Sequence, residues 1–152
     1  VDGDDLTEPV ADSVRSILDG HIVLSRSIAA KNHYPAIDVM MSTSRVMRDI
    51  TSERHRELAG KIRSVMAIYR ESEDLINIGA YAAGSNKKID YAISRMDAIN
   101  TFLTQGFAES STLEETITVM GELVSDRQPT DRRRPGRKGL DRRKTDQGND
   151  EA

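Results

Sequence analysis

The apolar pattern of this chain changes near residue 50, and that change limits the folds open to it. Before residue 49, short apolar runs alternate with turn residues. From about Thr51 onward, apolar residues recur at helical steps, and the first such stripe consists of Leu58, Ile62, Val65, Tyr69 and Ile76. Charged residues fill the positions between them. This pattern predicts one long helix with an apolar face and a solvated face.

Two further apolar stripes follow the first. One consists of Ile89, Ile93, Met96, Asn100 and Leu103, and the other of Leu113, Ile117, Met120 and Leu123. Gly79 is placed to cap the first helix, and Gly84-Ser85-Asn86 predicts a turn. Ser111 with Glu114 resembles a capping box. Three amphipathic helices joined by short turns predict a small antiparallel helical bundle, which we assign to residues 49–125.

Residues 1–48 have the composition of an α/β segment. Pro9 suits the first turn of a helix, and Gly20 suits its end. The run Ile22-Val23-Leu24 predicts a short buried strand, residues 27–30 a helical turn, and residues 36–41 a second strand. A strand, a helix and a strand in this order predict a parallel α/β sheet. Two strands alone do not make a stable sheet, so we expect this segment to be marginally stable.

The last 27 residues differ from the rest in charge and composition. Residues 126–152 hold nine Lys or Arg and six Asp or Glu, which leaves 13 basic and 19 acidic residues in the remainder. Leu140 is the tail's one large aliphatic residue. Such a segment cannot bury enough apolar surface to offset its chain entropy, so we predict a disordered basic tail.

Composition also limits the classes of partner. An acidic body argues against nucleic acid, because binding a duplex needs a positive face on the folded part. The chain has no cysteine, and His21, His33 and His55 do not have metal-ligand spacing, so we predict no metal site. No apolar run approaches the roughly 20 residues that a membrane span needs. The runs Arg132-Arg133-Arg134 and Arg142-Arg143-Lys144 leave weak binding to anionic lipid open.

Three blocks of sequence in the first 45 residues occur in a distinctive order. They are Val14 to Arg26 (VRSILDGHIVLSR), His33 to Asp38 (HYPAID) and Ser42 to Arg45 (STSR). In order and spacing they resemble the flagellar protein-export ATPase and its type III secretion relatives, over about residues 3–124. The resemblance implies the C-terminal end of a RecA-like parallel-sheet core over residues 1–48, followed by the C-terminal helical domain. It also implies a hexamer with ATP at each subunit interface.

The resemblance assigns roles to three side chains. Tyr34 occupies the position where this family places an aromatic ring against adenine, and Phe107 matches the second wall of that pocket. Arg45 occupies the position of the arginine finger, which reaches the phosphates bound by the neighbouring subunit. Flat rings can hold a purine through its π face, and a guanidinium can stabilise the charge that develops in phosphoryl transfer.

The phosphate-binding half of such an enzyme has no counterpart in this sequence. The Gly-Lys pair Gly60-Lys61 has His55 where a Walker A loop needs its first glycine and Ile62 where it needs a hydroxyl. No strand ending in an aspartate suggests a Walker B motif. We therefore expect the chain alone not to hydrolyse ATP, and we expect the residues that bind the phosphates and Mg²⁺ to lie outside it.

The loop from Gly79 to Lys88 distinguishes between related families. It contains no acidic residue, whereas the corresponding loop of ATP synthase beta subunits is strongly acidic. This favours an export ATPase over a rotary ATP synthase subunit. The resemblance further implies a central stalk protein, other regulators of the export apparatus and export substrate–chaperone complexes as partners. It implies a location in the cytoplasm, peripheral at the cytoplasmic face of the inner membrane.

Other interpretations of the same residues stay open. Tyr34 beside Pro35 is also typical of a turn or core aromatic, Phe107 of a cap on the bundle, and Arg45 of an ordinary ion-pair partner. A non-enzymatic interaction module is the alternative function. The absence of an initiator Met suits a chain cut from a longer protein.

Overall fold

The computed structural model describes residues 7–125, and the fold is that of a small α/β segment followed by three helices. The predicted disordered tail, residues 126–152, lies outside the described residues. The elements in chain order are α1 (Pro9–Ile17), β1 (Gly20–Leu24), α2 (Arg26–Ala30), β2 (Ile37–Ser44), α3 (Met47–Ile50), α4 (Glu53–Asn77), α5 (Lys87–Leu103) and α6 (Leu113–Leu123).

The local signals in the first segment are confirmed in part. Gly20 begins β1 rather than ending α1, and the predicted buried strand leaves Ile22 and Leu24 71% and 72% exposed. Pro9 opens α1, where its missing N–H leaves no helical hydrogen bond unmade. Ser25 caps α2, because its hydroxyl oxygen accepts a hydrogen bond from the Ile28 amide at 3.4 Å. A turn follows α2, in which Asn32 has a positive φ of 56°. Asparagine tolerates this conformation better than most residues do.

The predicted parallel pairing of the two strands is wrong. The strands β1 and β2 are antiparallel, with Gly20 opposite Ser44 and Leu24 opposite Ile37. A parallel pair needs a connection that carries the chain back along the first strand. The helix α2 has five residues, so it rises only about 7 Å, whereas a strand of that length covers about 16 Å. The turn at Asn32 then reverses the chain.

An irregularity in β2 is held by two polar side chains. The register shifts between His21 and Val23, so the middle of β2 bulges away from β1. The Asp38 carboxylate accepts hydrogen bonds from the Met40 and Met41 amides at 2.9 and 3.0 Å. The Ser42 hydroxyl accepts from the Val23 amide at 3.0 Å. These bonds satisfy backbone groups that a regular ladder would have paired.

The apolar core lies among the three long helices, as the helical stripes predict. Its buried members are Leu58, Ile62, Val65, Ala92, Ile99, Met120 and Leu123, which come from α4, α5 and α6. Each of these helices contacts the other two. The start of α5 lies against the end of α6, where the Tyr91 hydroxyl donates to the Val124 carbonyl at 3.4 Å. The helical part therefore has its own core.

The buried face of α5 differs from the predicted stripe. Ala92, Arg95 and Ile99 are buried, whereas Ile93 and Asn100 are exposed. Arg95 is only 5% exposed. Its guanidinium lies 5.2 Å from the centre of the Tyr91 ring and donates to the Ser125 carbonyl at 2.6 Å. A stripe counted from apolar residues omits such an arginine, so the predicted face was rotated by about one residue.

The ends of the helices follow from local chemistry. The capping box of α6 uses Thr112 and Glu115, one residue later than the predicted pair Ser111 and Glu114. The end of α4 matches the prediction. Gly79 has a φ of 68°, its amide donates to the Ile76 carbonyl at 3.1 Å, and the Ala80 amide donates to the Leu75 carbonyl at 2.9 Å. This is the double hydrogen bond of a Schellman motif.

Three arginines of α4 attach the first segment to the helices. Arg56, Arg63 and Arg70 are seven residues apart and therefore lie on one face of the helix; we call them the arginine stripe. Arg70 lies 3.9 Å from the Asp38 carboxylate. Arg63 donates to the Met40 carbonyl at 3.2 Å and to that of Ser42 at 3.4 Å, and Arg56 donates to the carbonyls of Arg48 and Thr51.

The positions along the arginine stripe fix the direction of the chain. Residue numbers on the first segment rise from 38 to 51 as those on α4 fall from 70 to 56, so β2 and α3 run along α4 in the opposite sense. Arg63 and Arg70 are exposed, as the sequence pattern predicts for a solvated face, and Arg56 is half-buried. All three nevertheless make polar contacts with the first segment. Within residues 7–125, no helix combines the length and the apolar character needed to cross a bilayer.

We expect Ile99→Ala to destabilise the helical core. The Ile99 side chain is fully buried, so its truncation leaves a cavity and should lower the free energy of unfolding by roughly 2–5 kcal/mol. Urea unfolding of the 152-residue chain measures this change. The matched control is Ile78→Ala, since Ile78 is 74% exposed and its truncation should change stability by less than about 0.5 kcal/mol. Equal effects of the two substitutions would contradict this description of the core.

We expect Glu115 to make stability depend on pH in acid. The Thr112 amide and hydroxyl donate to its carboxylate at 2.8 and 2.9 Å, and the amide bond is the main reason that the pKa of Glu115 lies below its ordinary value. The stabilisation is therefore complete above the ordinary glutamate pKa of about 4.3 and is lost as pH falls through the lower, folded-state pKa.

Glu115→Gln keeps an acceptor at this position but removes the titration. Urea unfolding at about pH 5 and about pH 3 should therefore show a smaller loss of stability for this variant than for the unmodified chain. Glu114→Gln is the control, because Glu114 is exposed and lies outside the capping box. Parallel losses in all three proteins would refute the assignment.

Candidate functional site

Tyr34 and Phe107 lie in one open cleft, although 73 positions separate them in the sequence. The cleft has a volume of about 450 Å³ and is lined by Tyr34, Pro35, Gln105, Gly106, Phe107 and Glu109. Tyr34 belongs to the connection between α2 and β2, and Phe107 to the connection between α5 and α6. The two parts of the chain therefore each contribute one ring to the same recess.

A backbone hydrogen bond joins the two sides of the cleft. The Gln105 amide donates to the Tyr34 carbonyl at 2.8 Å. Because the bond uses backbone atoms, it holds the two loops together without involving either ring. Tyr34 is 52% exposed and Phe107 is fully exposed. Both rings thus present apolar faces to solvent, which is the condition for stacking on a flat ligand.

The loop that carries Phe107 is closed by hydrogen bonds to Glu109. The Gly106 amide donates to the Glu109 carboxylate at 3.0 Å, and the Gln105 side-chain amide donates to the Glu109 carbonyl at 2.7 Å. The Glu109 amide in turn donates to the Gly106 carbonyl at 3.0 Å. Gly106 and Glu109 also border a neighbouring recess on α5, formed with Asn100, Thr101 and Thr104.

Arg45 lies at the other end of β2, against α1. Its backbone amide donates to the Asp19 carbonyl at 2.7 Å. Its guanidinium donates to the Ser16 carbonyl at 2.8 Å and lies 3.5 Å from the Arg15 carbonyl. These carbonyls belong to the last turn of α1, the end of a helix that favours a positive charge. The side chain is exposed, and the structure does not bring it into the cleft with Tyr34 and Phe107.

The loop between α4 and α5 is held by an acid that follows it. The Asp90 carboxylate accepts hydrogen bonds from the Gly84 amide at 3.1 Å and from the Tyr81 hydroxyl at 2.9 Å. The Asn86 side chain caps α5 by accepting from the Lys88 amide at 3.0 Å. Lys87 and Lys88 are exposed beside it. The loop is therefore a formed, basic projection at one end of the helical part.

The described residues contain no group of three or more acidic or histidine side chains that could hold a metal ion. Asp38 accepts the hydrogen bonds of the bulge of β2 and lies 3.9 Å from Arg70. Its carboxylate therefore has a structural role.

Two lining residues of the cleft, Gln105 and Glu109, were missed by the sequence analysis. A signal for Glu109 was present, because a carboxylate three residues after a glycine turn can accept the exposed backbone N–H, as in a capping box. For Gln105 the sequence carried no signal, since its contact with the Tyr34 carbonyl uses a backbone amide that every residue except proline has.

Two family models match the chain in consecutive stretches. Residues 1–44 match the nucleotide-binding domain of the ATP synthase alpha/beta family, and residues 51–122 match the C-terminal domain of the type III secretion ATPase EscN. These models define the class of protein as the alpha/beta family of ATP synthases and its type III secretion members, and the chain matches part of the nucleotide-binding domain and the C-terminal domain of that class.

Individual relatives agree with this class. The chain is 50% identical over 124 residues to the flagellum-specific ATP synthase of Bacillus subtilis. The aligned region covers 82% of this chain and 28% of that protein. It is also similar to the assembled type III secretion ATPase EscN of enteropathogenic E. coli. That match has a TM-score of 0.78 at 39% identity and covers 82% of this chain and 30% of EscN.

The same ATPase has been solved in complex with its central stalk EscO, and that structure matches with a TM-score of 0.72 at 41% identity, over 78% of this chain and 29% of that one. The chain belongs to the family of flagellum-specific ATP synthases and type III secretion ATPases. It spans less than a third of the length of these relatives.

Proposed function

We propose that this chain is the C-terminal part of a hexameric ATPase that couples ATP hydrolysis to flagellar or type III protein export. In this proposal Tyr34 and Phe107 hold the adenine ring between them. Arg45 acts as an arginine finger on the nucleotide of the neighbouring subunit. The groups that bind the phosphates and Mg²⁺ are contributed by sequence outside this chain.

The observation that carries the proposal is the pairing of two exposed rings across one cleft. Folded domains usually bury most of their aromatic surface, yet Tyr34 and Phe107 are both exposed in a recess whose two sides are joined by a hydrogen bond between backbone groups. Stacking on a base recovers the apolar contact that each ring lacks, and it tolerates any purine face. The cleft is open, so a nucleotide can enter without rearrangement of the loops.

The surroundings of Arg45 allow its guanidinium to leave its present hydrogen bonds and bind another group. Its guanidinium binds backbone carbonyls at the end of α1, and among residues 7–125 no carboxylate forms an ion pair with it. Hydrogen bonds from a charged group to carbonyls stabilise less than a bidentate pair with phosphate oxygens. We infer that the guanidinium exchanges the Ser16 carbonyl for phosphate oxygens when the neighbouring subunit binds ATP.

The loop from Gly79 to Lys88 is our candidate contact for a central stalk. It is preformed by Asp90 and presents Lys87 and Lys88 to solvent, so it suits an acidic surface on a partner helix. The EscN relative in complex with the stalk EscO supports a partner of this kind. Regulators of the export apparatus, substrate–chaperone complexes and a place at the cytoplasmic face of the inner membrane complete the proposal.

We expect Tyr34→Ala and Phe107→Ala, made in the full-length ATPase that carries this chain, to weaken binding of a nonhydrolysable ATP analogue. Loss of one stacking ring should lower the affinity by about tenfold or more. Calorimetric titration measures the affinity for the analogue. Tyr34→Phe is the matched control, because it keeps the ring and should bind within about twofold of the unmodified protein. Unchanged affinity in both alanine variants would remove the adenine role.

We expect Arg45→Ala in the assembled ATPase to lower the turnover number by at least about 10³, because the developing charge on the phosphoryl group loses its guanidinium. Steady-state ATP hydrolysis measures this, with size-exclusion chromatography to confirm that the assembly forms. Arg48→Ala is the control, since Arg48 is an exposed arginine three residues further on. Near-normal turnover in assembled Arg45→Ala would refute the finger assignment.

A further inference from the structure

We propose that Glu109 is a positioning residue for nucleotide binding, and that its carboxylate sets the place of the Phe107 ring in the cleft. This inference rests on the proposed function of the cleft. Glu109 contacts the loop that carries Phe107 and not the base. It would explain how the exposed Phe107 ring keeps one position.

Packing does not hold the Phe107 ring. Its side chain is fully exposed, so few neighbouring side chains restrict it. The position of the ring must therefore be set by the backbone on either side of it. An unrestrained loop would sample many backbone conformations, and ordering it on binding would cost free energy for every residue fixed.

The backbone before Phe107 is fixed at two successive amides. The Gln105 amide donates to the Tyr34 carbonyl at 2.8 Å, which ties the loop to the opposite side of the cleft. The next amide, that of Gly106, donates to the Glu109 carboxylate at 3.0 Å. The residue immediately before the ring thus depends on Glu109 for its hydrogen bond.

The backbone after Phe107 is fixed by the same residue. The Glu109 amide donates to the Gly106 carbonyl at 3.0 Å, and the Glu109 carbonyl accepts from the Gln105 side chain at 2.7 Å. Three hydrogen bonds of this loop therefore involve Glu109, and one of them uses its carboxylate. A short loop closed in this way presents Phe107 at its tip with part of the ordering cost already met.

The carboxylate is the part of Glu109 that substitution can remove. Glu109→Ala keeps the backbone bonds but leaves the Gly106 amide without its side-chain acceptor. Glu109→Gln replaces the carboxylate by a side chain of the same length whose carbonyl oxygen can accept the same bond. The pair of variants therefore separates the hydrogen bond from the negative charge.

The experiment measures steady-state ATP hydrolysis and binding of a nonhydrolysable ATP analogue in the full-length ATPase that carries this chain. We expect Glu109→Ala to raise KM for ATP and Kd for the analogue about threefold to tenfold, with kcat changed by less than about twofold. We expect Glu109→Gln to restore both constants to within about twofold. Glu71→Ala, at an exposed glutamate of α4, is the control and should match the unmodified protein.

Four outcomes overturn the inference, and they differ in what they imply for the cleft. If Tyr34→Ala weakens binding while Glu109→Ala does not, the cleft holds the base but Glu109 does not position its ring. If neither Tyr34→Ala nor Phe107→Ala weakens binding, the proposed nucleotide site itself fails. A fall in kcat with unchanged KM also contradicts a positioning role. Failure of Glu109→Gln to restore binding contradicts it too, because the negative charge rather than the hydrogen bond to Gly106 would then be what matters.

Discussion

The arginine stripe on α4 is the contact on which the arrangement of the two parts depends. The helices have an apolar core of their own, whereas the buried core of the described chain includes only Ala11 from the first segment. Polar contacts therefore place that segment. Arg56, Arg63 and Arg70 meet it at three points along its length. The Lys31–Glu73 ion pair and the bond from the Gln105 amide to the Tyr34 carbonyl also join the two parts.

This placement determines where the candidate site residues lie. Tyr34 precedes β2 and Arg45 follows it, so the strand separates the two by most of its length. At the first end, the chain meets the loop after α5 through the bond from Gln105 to Tyr34. At the second end, Arg45 meets α1. One strand thus has the Tyr34 ring and its cleft at one end and the Arg45 guanidinium at the other.

Much of this fold could be predicted from the sequence, and the failures have physical reasons. Helix ends at Pro9 and Gly79 follow from local chemistry, and so does the core face of α4. The face of α5 was misjudged because Arg95 buries its stem and binds the Ser125 carbonyl. The strand pairing was misjudged because a short helix resembles a crossover in sequence but not in length. For the cleft, the two rings came from family resemblance, whereas Glu109 required the conformation of the loop.

The acceptors of the arginine stripe have a consequence for how this region can change. Arg63 and Arg56 bind carbonyl oxygens, which every amino acid supplies, and only Arg70 depends on a particular side chain. Residues 40, 42, 48 and 51 can therefore be exchanged without removing the group that each arginine binds. The Ser42 side chain is needed separately, because its hydroxyl accepts the Val23 amide in the bulge of β2. The alignment of the two parts is thus encoded mainly on the helix.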